Sequence, residues 1–180
     1  MTESPIVRLF KKNNATGVNI FHEIAREGTV MLLRRIRDNV DEDIASFLQE
    51  PNFRGETCVH IAAGEHRGHL AIEVIDVLVN LGANINAKNN TNETPLHYAV
   101  NNKDYELVKW LSKRRDVDLE TTNQNHFTPH DMAIIQNALS IVNLLENDDD
   151  VNWDSEATDD AGTDDQNVPL QSQYERSKSV

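Results

Sequence analysis

The seven histidines of this 180-residue chain are the side chains that could bind a metal ion or act as a general base. His66 and His69 are three residues apart, but no third ligand stands in a fixed relation to them and no His-Glu-x-x-His motif is present. The chain also contains no Gly-x-Ser-x-Gly elbow, phosphate-binding glycine loop or Cys-x-x-Cys pair. We therefore expect no metal, no cofactor and no catalytic residue, and we do not expect an enzyme.

A recurring hexapeptide gives two of the histidines a different role. Thr94-Pro95-Leu96-His97-Tyr98-Ala99 has a partial copy that begins at Thr57, 37 residues earlier, and another that begins at Thr128, 34 residues later. A degraded copy begins at Asn19. A period near 33 residues with this motif resembles the ankyrin repeat, a two-helix unit that stacks on its neighbours.

Each position of the hexapeptide has a physical reason to recur. The threonine can cap a helix, the proline suits the first helical turn, and the leucine faces the neighbouring repeat. The histidine resembles the buried histidine of ankyrin repeats, whose ring forms a hydrogen bond to the backbone of the adjoining loop and so tethers that loop. The predicted structural residues are Thr57, His60, Thr94, Pro95, Leu96, His97, Thr128 and Pro129.

The fold implied by this resemblance is an all-α ankyrin-repeat solenoid with short β-hairpin loops. We expect about four repeats, at 16–53, 54–90, 91–124 and 125–147, between an extension at 1–15 and a tail at 148–180. The second repeat exceeds the family period by four residues, which we place in an enlarged turn around 64–67. The first repeat has an excess around 41–50, where Ile44, Phe47 and Leu48 predict a short extra helix. Cys58 takes the family's proline position and is expected to be half-buried.

Most of the acidity lies at the carboxyl end. Residues 146–180 contain 2 Lys or Arg against 11 Asp or Glu, a net charge of −9 within a chain total of −13. Such a segment has few apolar side chains that could be buried, so we expect it to be disordered. Its role is either that of a solubilising extension or that of a polyanion that competes for a partner's basic surface. The strongly negative chain does not suit direct nucleic-acid binding.

The compartment is predicted from three further features. A single cysteine cannot form an internal disulfide, residues 1–37 hold no signal-peptide core, and no run of eighteen apolar residues occurs. We therefore expect an intracellular protein, in the cytoplasm and also the nucleus, that is monomeric when free and has no membrane association.

The resemblance extends to a subfamily. The phrases Gly-Glu-Thr-Cys-Val-His, Leu-Gly-Ala-Asn-Ile-Asn and Asn-Glu-Thr-Pro-Leu-His-Tyr-Ala-Val are similar to those of the viral ankyrin proteins of polydnaviruses, over about the first 147 residues. Those proteins are truncated relatives of the inhibitor-of-kappa-B family. The resemblance implies that the chain covers a Rel-type transcription factor dimer and keeps it from the nucleus and from DNA. The family's Asp-Ser-Gly-x-x-Ser degradation site is not in this sequence, which predicts a constitutive inhibitor.

Ankyrin arrays generally bind partners through loop tips and the exposed face of the first helices. The predicted contacts, with three acidic residues of the tail, are Arg54, Glu56, Asn89, Asn90, Asn92, Glu93, Asn123, Asn125, His126, Asp148, Asp149 and Asp150. An asparagine in a tight turn can instead serve only to tolerate the backbone angles of that turn. A general ankyrin adaptor for another intracellular protein is the alternative function.

Overall fold

The computed structural model describes residues 12–39 and 44–146, which form helices joined by tight turns and loops. No residue of these two ranges is in a β-strand, so the predicted β-hairpin loops are loops without strands. The helices are α1 Ile20–Glu27, α2 Val30–Asn39, α3 Ala45–Gln49, α4 Cys58–Glu65, α5 Gly68–Asn80, α6 Pro95–Asn101, α7 Tyr105–Ser112, α8 Pro129–Ile135 and α9 Leu139–Glu146.

The helices pack as four pairs, α1 with α2, α4 with α5, α6 with α7 and α8 with α9. The first helix of each pair also contacts the first helix of the next pair, and the second helices contact each other in the same way. The buried apolar side chains of all four pairs form one continuous core. The predicted all-α solenoid of stacked two-helix units is therefore confirmed.

The hexapeptide starts each first helix for local reasons. Thr94 has extended backbone angles, φ −99° and ψ 168°, and Pro95 follows at the first helical position, where its missing N–H has no helical partner to lose. His97, three residues after Thr94, accepts the Thr94 N–H on Nδ1 at 3.1 Å. Leu96 and Ala99 are buried, as a side chain between repeats must be.

The extra helix predicted in the first repeat is α3. Ile44 and Leu48 are buried, and Phe47 packs against the core. Gln49 Nε2 donates to the Gly82 carbonyl oxygen at 2.7 Å, which joins α3 to the chain that follows α5. Residues 41–43 of the predicted segment lie outside the described residues.

Two expectations about the second repeat are wrong. The turn between α4 and α5 is only His66 and Arg67, so it is not enlarged; the extra residues instead lengthen α5, which has 13 residues against 8 in α7. Cys58 is fully buried rather than half-buried, with Sγ 3.6 Å from the Leu48 carbonyl oxygen. Burial raises the pKa of its thiol to about 12, so this thiol stays protonated at neutral pH.

Candidate protein-binding surface

Each loop that precedes a first helix is closed by one asparagine. The Oδ1 atom of Asn89 accepts the backbone N–H groups of Thr91 at 2.8 Å and Glu93 at 2.9 Å. The backbone N–H of Asn89 also donates to the Glu93 carbonyl oxygen at 3.0 Å. Asn52 and Asn123 make the same bonds in their own loops. We call the loops at 52–56, 89–93 and 123–127 the second, third and fourth tip loops.

Backbone hydrogen bonds join these tip loops in a row. The Asn90 N–H donates to the Arg54 carbonyl oxygen at 3.1 Å, and the Gln124 N–H donates to the Thr91 carbonyl oxygen at 2.8 Å. The side chain of Asn90 adds a bond from Nδ2 to the Phe53 carbonyl oxygen at 2.9 Å. The loops therefore present their tips in a row that the backbone itself holds in order.

Buried histidines attach each first helix to the next tip loop. His22, His60 and His97 donate from Nε2 to the carbonyl oxygens of Glu56, Glu93 and Phe127 at 2.9, 3.0 and 3.3 Å. Because Nδ1 of His60 and of His97 accepts a backbone N–H, the neutral ring holds its proton on Nε2. Burial lowers the pKa of all three rings. The structure thus shows the tether that the sequence predicted for His60 and His97.

A second row of side chains joins the other ends of the first helices. His66 Nε2 donates to the Ala25 carbonyl oxygen at 2.8 Å, and Asn102 Nδ2 donates to the Ala63 carbonyl oxygen at 3.0 Å. From the sequence, His66 was weighed only as a metal ligand, and this structural role was not predicted. Among the described residues, no group of three His, Cys, Asp or Glu side chains could hold a metal ion.

The predicted contact residues divide by exposure. Arg54, Asn90, Asn92, Asn125 and His126 are exposed at the tips, and Glu93 is half-buried. Asn92 and His126 have φ values of 58° and 63°, so both also meet a left-handed backbone requirement of the loop.

Three predicted contacts are not at the tips. Glu56, Asn89 and Asn123 are only 8%, 9% and 6% exposed. Their exposure was predicted wrongly because the two asparagines turn inward to close the loops, and Glu56 turns inward to Asn52 and Tyr98. Asp148, Asp149 and Asp150 lie outside the described residues.

Four further residues of this surface were not singled out from the sequence. Asn52 has the loop-closing role, and its spacing to Asn89 and Asn123 follows the repeat, so the sequence did hold a signal for it. Phe53 and Phe127 are exposed in the second and fourth tip loops. Tyr98, on the side of α6 nearest the loops, is half-buried and bonds to Glu56.

Glu56 is held as a carboxylate. Its Oε2 accepts from Asn52 Nδ2 at 2.8 Å, and its Oε1 accepts from the Tyr98 hydroxyl at 2.8 Å. Burial opposes ionisation, but the hydrogen bonds from Asn52 and Tyr98 and the charge of Arg54 outweigh it, so the pKa of Glu56 is lowered. Burial, followed by the bond to Glu56, raises the pKa of Tyr98, which keeps its hydroxyl proton for donation.

The fourth repeat departs from this pattern. Asp131 replaces the tether histidine, and its Oδ2 accepts from the N–H and hydroxyl of Thr128 at 2.9 and 2.8 Å. Ile134 is 53% exposed, although Ala63 and Val100 at the same position of the second and third repeats are fully buried. No further repeat covers this face in the part of the chain that the structure describes, which accounts for both differences.

The helices of residues 12–39 and 44–146 include none with the length and apolar character required to cross a bilayer. The arrangement offers a hydrogen-bonded row of loop tips with exposed polar and aromatic side chains. Such a surface suits recognition of another macromolecule.

Comparison with known proteins agrees with this architecture. Residues 67–155 match the profile of ankyrin repeats, in three copies. I-Kappa-B like protein N3 of Microplitis demolitor bracovirus (isolate Webb) is 39% identical over 132 residues, which cover 73% of this chain and 81% of that relative. I-kappa-B like protein N2 of the same virus is 37% identical over 134 residues and is covered over 73% of its length.

Proposed function

Because the chain belongs to the I-kappa-B like proteins, a family built of ankyrin repeats, we propose that it binds a Rel-type transcription factor dimer of the host cell. By covering that dimer, it blocks nuclear entry and DNA binding and suppresses the immune response that the dimer controls. The protein acts in the host cytoplasm and nucleus, is monomeric when free, and is not removed by signal-induced degradation. This family works through protein–protein interaction and not through catalysis.

The observation that carries the proposal is the 39% identity to an I-Kappa-B like protein over 132 residues. The tip loops support it physically, because a pre-ordered surface loses less entropy when it binds. The charge supports it as well. A chain of net charge −13 is attracted to a partner that has a basic DNA-binding surface, and it disfavours the return of DNA to that surface.

Titration of the purified full chain against a Rel homology dimer, with labelled DNA as competitor, tests the proposal. We expect a complex that excludes DNA. The substitution Arg54→Ala removes an exposed side chain from the second tip loop, and we expect it to lower the affinity by roughly threefold to tenfold. Arg35→Ala is the matched control, because Arg35 is exposed on α2, away from the tip loops.

The possible results test the identity of the partner and the location of the contact surface separately. No complex at micromolar concentration in low salt would reject a Rel dimer as the partner. A complex whose affinity falls equally with Arg54→Ala and Arg35→Ala would retain the partner but reject the tip loops as the contact surface.

A further inference from the structure

We propose that Tyr98 is a positioning residue whose hydroxyl group joins the second and third tip loops into one rigid unit for partner binding. The partner-binding consequence rests on the proposed function, whereas the coupling of the two loops is a property of the free protein. Tyr98 is not among the residues that the sequence predicted for this surface.

The hydroxyl group of Tyr98 has one hydrogen bond to each loop. It donates to Glu56 Oε1 in the second tip loop at 2.8 Å, and it accepts from Asn89 Nδ2 in the third at 3.1 Å. Each partner also closes its own loop, since Glu56 Oε2 accepts from Asn52 and Asn89 Oδ1 accepts from Thr91 and Glu93. One hydroxyl group therefore bridges two loops that belong to different repeats.

The ring of Tyr98 is held in place from the neighbouring repeat. It packs edge-on against His60, with ring centroids 5.5 Å apart and an interplanar angle of 69°. Gly64 lies beside the ring, where an added Cβ would be 3.3 Å from Tyr98 Cδ1, so a larger residue would crowd the ring. The hydroxyl group is thus positioned by packing as well as by its bonds, which lowers the entropy lost on binding.

The same position in the second and fourth repeats cannot make this bridge. Ile61 in α4 has no polar atom on its side chain, and Met132 in α8 offers only a thioether, which lies 3.6 Å from Asn123 Nδ2. The weak sulfur acceptor leaves the fourth tip loop without an equivalent of the Tyr98 bridge. That loop therefore serves as an internal control.

Amide hydrogen exchange of the full chain tests the coupling without any partner. Tyr98→Phe keeps the ring and removes the hydroxyl group, and we expect exchange at residues 52–56 and 89–93 to accelerate by about tenfold, the effect of losing one charge-assisted hydrogen bond. Exchange at residues 125–127, whose N–H groups bond to Asn123 within the fourth tip loop, should not change. Tyr105→Phe makes the same chemical change at an exposed position of α7 and should leave all three loops as they are.

Binding to a Rel homology dimer provides the second measurement. We expect Tyr98→Phe to lower the affinity while helical content stays the same, and Tyr105→Phe to leave the affinity unchanged. Unchanged exchange in the second and third loops, or equal acceleration in all three, would overturn the proposed coupling. Faster exchange with wild-type affinity would overturn its role in binding. Failure of the wild-type chain itself to bind would instead reject the proposed function and leave the exchange result to decide the coupling.

Discussion

At the scale of single residues, the buried histidines connect each repeat to the next. His22, His60 and His97 use one ring nitrogen for the next loop, and the other nitrogen of His60 and His97 accepts a backbone N–H of its own helix start. A protonated imidazole has no acceptor nitrogen, so protonation would break the second of these bonds. We therefore expect acid to weaken the array through these buried rings.

The first prediction at this scale concerns pH. Burial lowers the folded-state pKa of the three rings below the ordinary value of 6.5, so below that pH the unfolded chain binds protons that the folded chain does not. Their contribution to stability is complete above pH 6.5 and is lost as the pH falls from there towards the lowered pKa values. Urea unfolding from about pH 8 to about pH 5.5 should show a midpoint that declines in the acidic part of the range.

Two variants identify the groups responsible for the pH effect. His60→Gln removes one buried ring, so the urea midpoint of this variant should decline less as the pH falls. The variant should also be less stable at every pH. His69→Gln removes an exposed histidine and should leave the decline unchanged. A decline that is the same in both variants would assign the acid sensitivity to other groups.

At the scale of helices, burial between repeats dominates stability. Leu96→Ala should destabilise the array by about 2–5 kcal/mol, because Leu96 is only 1% exposed between α4 and α8 and its removal leaves a cavity. Leu139→Ala makes the same chemical change at a position that is 65% exposed, and we expect it to cost well under half as much. Chemical unfolding measures both values. Equal losses in the two variants would contradict the packing described for α6.

The helix starts could be predicted from the sequence because their cause is local. In α6 a threonine, a proline and a histidine three positions after the threonine specify the start within four residues. The second repeat keeps the threonine and the histidine, and the fourth keeps the threonine and the proline. The length of α5 could not be predicted in this way. Gly64 suggested a turn, but its missing Cβ leaves room for the Tyr98 ring, and Gly64 lies inside α4.

The contact surface was predictable only in part. Asparagine suits both an exposed tip and an inward loop closure, so its residue type does not separate Asn90 from Asn89. Burial separates them, and burial depends on how one loop lies on the next. Tyr98 was missed for a similar reason, since its partners Glu56 and Asn89 are 42 and 9 residues away in the chain.

At the scale of the whole molecule, charge is the main long-range property. Residues 146–180 contain 11 acidic and 2 basic residues, so most of the net charge of −13 belongs to this segment. A strongly acidic segment speeds the encounter with a basic partner in a manner that added salt suppresses. The charge of this segment therefore bears on the rate of binding more than on the fold.

Removal of residues 148–180 tests this expectation. The shortened chain should associate more slowly with a Rel homology dimer, and its association rate should depend less on salt, while helical content is nearly unchanged. Stopped-flow binding over a range of salt concentrations and circular dichroism provide the measurements. A control chain of full length, with the acidic residues after Asn147 replaced by their amides, should behave like the shortened one. A wild-type rate for either chain would contradict a role for the charge, and lost helix would contradict the boundary at residue 147.

Asp131 has a consequence for engineering. Its carboxylate bonds back to Thr128, so the tether position of α8 offers no ring nitrogen to a loop placed after it. Hydrogen bonds from Thr128 lower the pKa of Asp131, so it stays anionic at neutral pH and would repel the carbonyl oxygen of a grafted unit. To lengthen this array by recombination, Asp131 must therefore be replaced by histidine before a fifth repeat is attached.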